Sequence, residues 1–154
     1  GLTYSRGYDN ERKNFKSFNN FYLSPIICYE SVYGEYITEY TRSGSKLFAI
    51  ITNDGWWDVS EGHKQHLSYA KLRAIENRRN IVRSANTGVS AIINYRGEIK
   101  DSIAYGEEGF INTNVGLIEE KTFYVNYGDY IFRISLFFFI IIGLHFLSTI
   151  AKIK

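Results

Sequence analysis

Ser24-Pro25-Ile26-Ile27-Cys28-Tyr29-Glu30 is the stretch on which the reading of this chain turns. Its β-branched residues, bounded by a proline, argue for a strand. A cysteine ends that strand. Beyond it Tyr33, Tyr36, Ile37 and Tyr40 recur at helical spacing, and Gly44 stands where a helix should stop. In α/β sandwiches a nucleophile is presented at such a place: a sharp turn between strand and helix exposes the side chain, and nearby backbone N–H groups can stabilise an oxyanion. A cysteine at a strand end is also a common small core residue, so position alone leaves both readings open. Glu30, two residues on, is placed to orient a partner, relay a proton or hold the turn.

Outward from this stretch, residues 1–22 are polar and read as a loop or an edge segment. Leu47 to Thr52 is a second strand, an apolar run without alternation, as in strands covered on both faces. Asn53-Asp54-Gly55-Trp56-Trp57-Asp58 is a loop. His63 to Asn80 predicts an amphipathic helix with Leu67, Ala70, Ala74 and Ile75 facing inward. Ile81 to Ala85 and Ser90 to Asn94 read as strands, joined by a turn at Asn86-Thr87-Gly88 in which Gly88 takes positive φ. Arg96-Gly97 suggests a hairpin turn into Glu98-Ile99, and Gly109 to Val115 a last strand. Strands alternating with helices, then a strand-rich tail, give an α/β sandwich.

From Ile134 to Ala151 the chain reads ISLFFFIIIGLHFLSTIA. With Tyr130 to Phe132 added, this reaches the roughly 20 apolar residues a membrane span needs. A buried helix of a soluble protein is the alternative; an apolar run on all sides at the end of the chain favours the span. Lys152 and Lys154 place that end in the cytoplasm by the positive-inside tendency, and the domain on the outer face. The expected division is a domain over 1–129 and a transmembrane helix over 130–152. His145 lies inside the span and is given no role.

The 154 residues suffice for one domain with a sizeable core. A net charge of +2 with scattered Lys and Arg excludes a nucleic-acid partner. Aromatic residues make up 17%, which suits either a Tyr-rich sheet or a lipid-facing surface. One Cys excludes an internal disulfide; outside the cytoplasm a lone thiol is either buried or kept for its chemistry. The N-terminus has neither an initiator Met nor a signal-peptide pattern, so a chain that begins inside something longer is expected.

Other marked residues carry competing readings. Asn53 and Asp54 either cap the following turn or meet substrate, with the cap favoured. Of Trp56 and Trp57, one is an exposed anchor for lipid, or one is core and the other covers the site. Arg73, Glu76 and Arg79 suggest a structural ion-pair ladder on one helix side. His63 and His66 stand three apart, but no third ligand is evident, so neither a metal nor another cofactor is expected.

Together these segments resemble a known family. Pro25 to Glu30 resembles the nucleophile segment of the nitrilase superfamily. Ile50-Ile51-Thr52-Asn53-Asp54-Gly55-Trp56-Trp57, Gln65-His66-Leu67, Arg73 to Arg79 and Arg83-Ser84-Ala85-Asn86-Thr87-Gly88-Val89-Ser90 follow in an order and spacing similar to the apolipoprotein N-acyltransferases, its membrane-bound branch. Thr122 to Asp129, just before the apolar run, is similar to that family's exit into its last membrane helix. The resemblance implies the C-terminal half of a nitrilase-like α-β-β-α sandwich followed by one transmembrane helix. It implies an acyl chain carried from a membrane phospholipid, through a Cys thioester, to the α-amine of a diacylglyceryl lipoprotein at the outer face of the bacterial inner membrane. On this chain Cys28 matches the nucleophile and Glu30 the acidic residue beside it. The Tyr29 N–H matches the oxyanion donor; Trp56 and Trp57, with Asn53, match the substrate entrance. The family's base Glu and its Lys lie upstream of residue 1. Glu11 and Lys13 do not match their surroundings, so an upstream part of the same enzyme is an expected partner. A nitrilase-type amidase acting on a small amide, or a catalytically incomplete fragment, remains the alternative.

Overall fold

The computed structural model describes residues 12–58 and 60–153. Glu11 and the rest of 1–11 lie outside them. A six-stranded sheet runs in sequence order from β1 to β6. β1 (Phe15–Lys16) is a short edge strand antiparallel to β2 (Tyr22–Ile27). β2, β3 (Ser45–Thr52) and β4 (Asn80–Ala85) run parallel. β5 (Ser90–Ile93) and β6 (Ile99–Ile103) continue antiparallel. Helix α1 (Gly34–Arg42) connects β2 to β3, and α2 (Glu61–Asn77) connects β3 to β4.

The strands show why the sheet needs a cover on both faces. Side chains alternate across a sheet with period 2. Ile26, Phe48, Ile50, Ile81, Ala91 and Ile93 form one face and are buried against Ile37 and Tyr40 of α1 and Ala70 and Ala74 of α2. The alternate residues are also apolar: Ile27 and Ile51, paired across β2 and β3, are each about half exposed (51% and 54%). Leu23, Pro25, Leu47, Ala49, Val82 and Ile92 share that face and are part-buried. The described residues therefore supply one helix layer and one sheet of an α/β sandwich.

Several expectations are corrected. Ile75 does not face inward but is half exposed, packing only its tip toward Gly97. One residue further along a helix turns about 100°, which carries Ile75 off the line that Ala70 and Ala74 define. Polar residues complete that line: His63, His66, Arg73 and Asn77 are buried with the alanines. The helix stops at Asn77, not Asn80, because Arg78 takes the left-handed conformation (φ 52°). Arg79 therefore leaves the ion-pair ladder. Only Arg73 and Glu76 pair (3.0 Å). Arg79 is buried and donates to the carbonyls of Ser45 (2.6 Å) and Glu120 (2.5 Å). Burial lowers its pKa to about 10, still charged at neutral pH.

Gly109 to Val115 forms no strand. The segment from Ala104 to Thr122 is held at scattered points instead: Gly106 N–H donates to Thr87 (2.8 Å), and Asn80 Nδ2 donates to the Gly116 carbonyl (2.7 Å). Gly97 has the positive φ (79°) that the hairpin needs; Gly88 is not among the positive-φ glycines. Gly88 is required for another reason, since a Cβ there would collide with the Asp54 carboxylate.

A short helix α3 (Phe123–Tyr127) leads through Gly128 (φ 66°) into α4 (Tyr130–Ile153). The joint is tied to the domain. Arg133 donates to the Tyr127 carbonyl (2.8 Å) and pairs with Glu35 of α1. Phe123 packs on Tyr127 and Tyr130. The stretch Tyr130–Lys152 is long and apolar enough to cross a membrane, and none of its most apolar window is buried.

Candidate active site

Three loops meet at the carboxyl ends of β2, β3 and β4, because parallel strands end on the same edge. Ligands in open α/β sheets bind at that edge. Cys28 follows β2, Asn53 and Asp54 follow β3, and Asn86-Thr87-Gly88 follows β4. The Asn86 N–H donates to the Thr52 carbonyl (3.0 Å), locking the second and third loops together.

Cys28 stands at the start of a short 3-10 turn (Cys28–Val32) with φ 51°. A β-carbon makes that conformation costly by about 1 kcal/mol or more, and such residues cluster at functional sites where surrounding contacts enforce them. The first N–H groups of the turn, Tyr29 among them, have no partner within it. The sulfur is part-buried and lies 3.3 Å from Thr52 Oγ1. The Glu30 carboxylate folds back: Oε2 accepts from the Ile27 N–H (2.7 Å) and Oε1 from the Tyr36 hydroxyl (3.3 Å). Of the three roles open to Glu30, its contacts are those of a residue that holds the turn.

Beneath the cysteine lies a buried polar network that the sequence reading did not anticipate. Asp54 is fully buried and caps nothing. Its Oδ1 accepts from Thr52 Oγ1 (2.8 Å) and faces His66 Nδ1 (2.9 Å), while Oδ2 pairs with Arg83 Nη2 (2.5 Å). Burial by itself would raise the Asp54 pKa. Hydrogen bonds from His66, Arg83 and Thr52, with the Arg83 charge, outweigh it and bring the pKa down to about 2. His66 Nε2 lies 2.9 Å from Ser31 Oγ and 3.1 Å from the Cys28 carbonyl oxygen. The Ser31 hydroxyl donates to that same carbonyl (2.9 Å). The histidines form no metal cluster with other ligands among the described residues.

The predicted cap belongs to Asn53, whose Oδ1 accepts from the Gly55 N–H (3.2 Å) and also from Asn86 Nδ2 (3.3 Å). The two tryptophans separate. Trp56 is 81% exposed. Trp57 lies over the site, its ring 5.1 Å from His66 and 6.4 Å from Tyr29. A cleft of about 100 Å³ opens there between Tyr29, Trp57, Gly62, Gln65, His66 and Tyr69. A wider cleft, about 920 Å³, lies among Ile75, Arg78, Tyr95, Arg96 and Glu120. It shares no residue with the surroundings of Cys28.

The sheet and the loops at its carboxyl edge can be set beside known proteins. Residues 13–119 match the carbon-nitrogen hydrolase family model. The chain belongs to the carbon-nitrogen hydrolase family. An apolipoprotein N-acyltransferase from Geobacter metallireducens is 41% identical over 104 residues, 68% of this chain and 20% of that protein. One from Wigglesworthia glossinidia brevipalpis is 33% identical over 147 residues, 96% of this chain and 28% of that protein. The chain thus spans between a fifth and about a quarter of such relatives. Among solved structures, a carbon-nitrogen hydrolase from Helicobacter pylori superposes with a TM-score of 0.58 at 13% identity, covering 67% of this chain and 43% of that one. A nitrilase-superfamily amidase from Nesterenkonia gives 0.55 at 16% identity, covering 66% and 40%. At these identities the likeness is one of fold, and the nitrilase-like fold expected from the sequence is the one found.

Proposed function

We propose that this carbon-nitrogen hydrolase chain is the nucleophile-bearing part of an apolipoprotein N-acyltransferase. Cys28 is the nucleophile. Its sulfur, deprotonated by a base on the upstream part, attacks the ester carbonyl of a membrane phospholipid. The bond to the glycerol oxygen breaks, and the lysophospholipid leaves with the proton. The Tyr29 N–H steadies the oxyanion, and Glu30 holds the turn that aims both. The free α-amine of a diacylglyceryl lipoprotein then attacks the thioester, forming the amide and returning the thiol. Trp56, Trp57 and Asn53 border the route by which substrate reaches the sulfur.

The observation that carries this reading is a strained cysteine turn in a chain that runs directly into an unburied apolar helix of membrane-spanning length. Soluble amidase chemistry has no use for such a helix. The half-exposed apolar sheet face at Ile27 and Ile51 supports an upstream part that closes the sandwich and brings the base Glu and the Lys. The helix supports a membrane setting, with the domain on the outer face of the bacterial inner membrane and the Lys-tipped end in the cytoplasm.

Intact-mass spectrometry after reconstitution with phospholipid tests it, on the full gene product and on Cys28→Ala. The expected result is an acyl-sized mass gain that requires Cys28 and disappears when a diacylglyceryl peptide is added. A full gene product that never gains the acyl mass overturns the transferase reading; release of free fatty acid or turnover of a small amide by Cys28 then points to a hydrolase.

A further inference from the structure

We infer that His66, held by Asp54, is a positioning residue for the Cys28 nucleophile, acting through the Cys28 carbonyl and Ser31; this rests on the assignment of Cys28 above. A positive φ at a non-glycine residue persists only when neighbouring contacts over-determine it. Here those contacts can be named. The Cys28 carbonyl accepts from Ser31 Oγ at 2.9 Å, and His66 Nε2 lies 3.1 Å from the same oxygen. Ser31 and His66 also meet one another at 2.9 Å. The imidazole is oriented from behind, where Nδ1 meets Asp54 Oδ1 at 2.9 Å. Asp54 is fixed in turn by Arg83 and by Thr52, and the Thr52 hydroxyl also reaches the Cys28 sulfur at 3.3 Å. One buried network therefore holds the nucleophile at both its carbonyl and its sulfur.

The network's burial shows that it is aimed at the turn and not at solvent. Asp54 and Ser31 are fully buried, and Trp57 and Tyr29 lie across the outer side of His66. A helix residue buried only to fill space would be apolar, as Ala70 and Ala74 are one and two turns further on. A buried polar side chain costs free energy unless it is fully bonded, and these bonds are spent on the cysteine turn.

The test compares full gene product carrying His66→Ala, His66→Gln and Ser31→Ala with wild type, all confirmed folded by circular dichroism. Two readouts are taken. One is the rate at which iodoacetamide alkylates Cys28, followed by peptide mass. The other is the rate and KM of acyl loading from phospholipid vesicles. Hydrogen-bond partners that orient metal ligands are worth about 10- to 100-fold, and the lower end of that scale is taken for a residue that orients a thiol. His66→Ala is expected to lower both rates by about 10-fold or more, with KM changed by less than about 2-fold. His66→Gln, whose amide reaches the same oxygens, recovers part of the loss, and Ser31→Ala loses several-fold. Folded variants that alkylate and load at wild-type rates overturn the inference, and so does a loss that only tracks the folded fraction. Should His66→Ala not fold, the Ser31→Ala rates decide in the same way. Slowed alkylation in a protein whose wild type never loads acyl upholds the positioning role and overturns the transferase reading; normal alkylation with normal loading does the opposite.

Discussion

At the scale of single residues, Asp54 has the most measurable signature. In the folded chain its pKa is about 2, against 3.8 for a free side chain. The folded state therefore binds the proton less readily than the unfolded one. The resulting stabilisation is complete above about pH 4 and is lost as the pH falls toward 2. The gap is worth about 2 kcal/mol. Urea unfolding at pH 6, 4 and 2 should show that decline, and Asp54→Asn should flatten it while losing about 3–5 kcal/mol at pH 6 by leaving Arg83 buried and unpaired. The cysteine itself was legible in the sequence, because an apolar strand, a Cys and a helical pattern follow one another without a break. Asp54, His66 and Arg83 were not. A short polar residue after a strand usually caps a turn, and two histidines on a helix suggest a ligand pair. Only tertiary structure shows that a loop, a helix and a strand each turn a buried polar residue to a common point.

At the scale of elements, α2 carries the lesson. Its inward line mixes alanines with His63, His66, Arg73 and Asn77, so the apolar stripe that marks a helix in sequence is blurred. The helix was still found from its periodicity, but its face was misjudged by one residue at Ile75. Thermal unfolding should separate the two positions: Ile75→Gln changes stability by about 0.5 kcal/mol or less, whereas Ala74→Leu overpacks the core and costs about 1–3 kcal/mol. The missing strand at Gly109 to Val115 failed for a different reason. Local composition can favour an extended chain, but a strand exists only with a partner ladder, and this segment touches the rest at isolated atoms. Strand β3 was legible because an apolar run without alternation marks a strand that demands cover on both faces.

At the scale of the whole molecule, that demand is met on one face only. Ile27→Asp with Ile51→Asp should leave this chain's own fold nearly intact, since both side chains are already half exposed. The pair should abolish association with the upstream part proposed above, read by co-purification of the two pieces. Removing residues 130–154 should move the domain from the membrane fraction to the soluble one, and unchanged pelleting would argue that another surface binds lipid. Trp56 is the other candidate for such contact, and its emission should shift to the blue on vesicles if it is one. One last property follows from Cys28 and the absence of methionine: all the sulfur in this sequence is a single atom. Feeding cells an isotopic or heavier analogue of cysteine therefore writes a tracer into these 154 residues at Cys28 alone. X-ray absorption at the sulfur edge would then report on that atom with no background from the rest of these residues, and the thioester proposed above should appear as a shift of the edge.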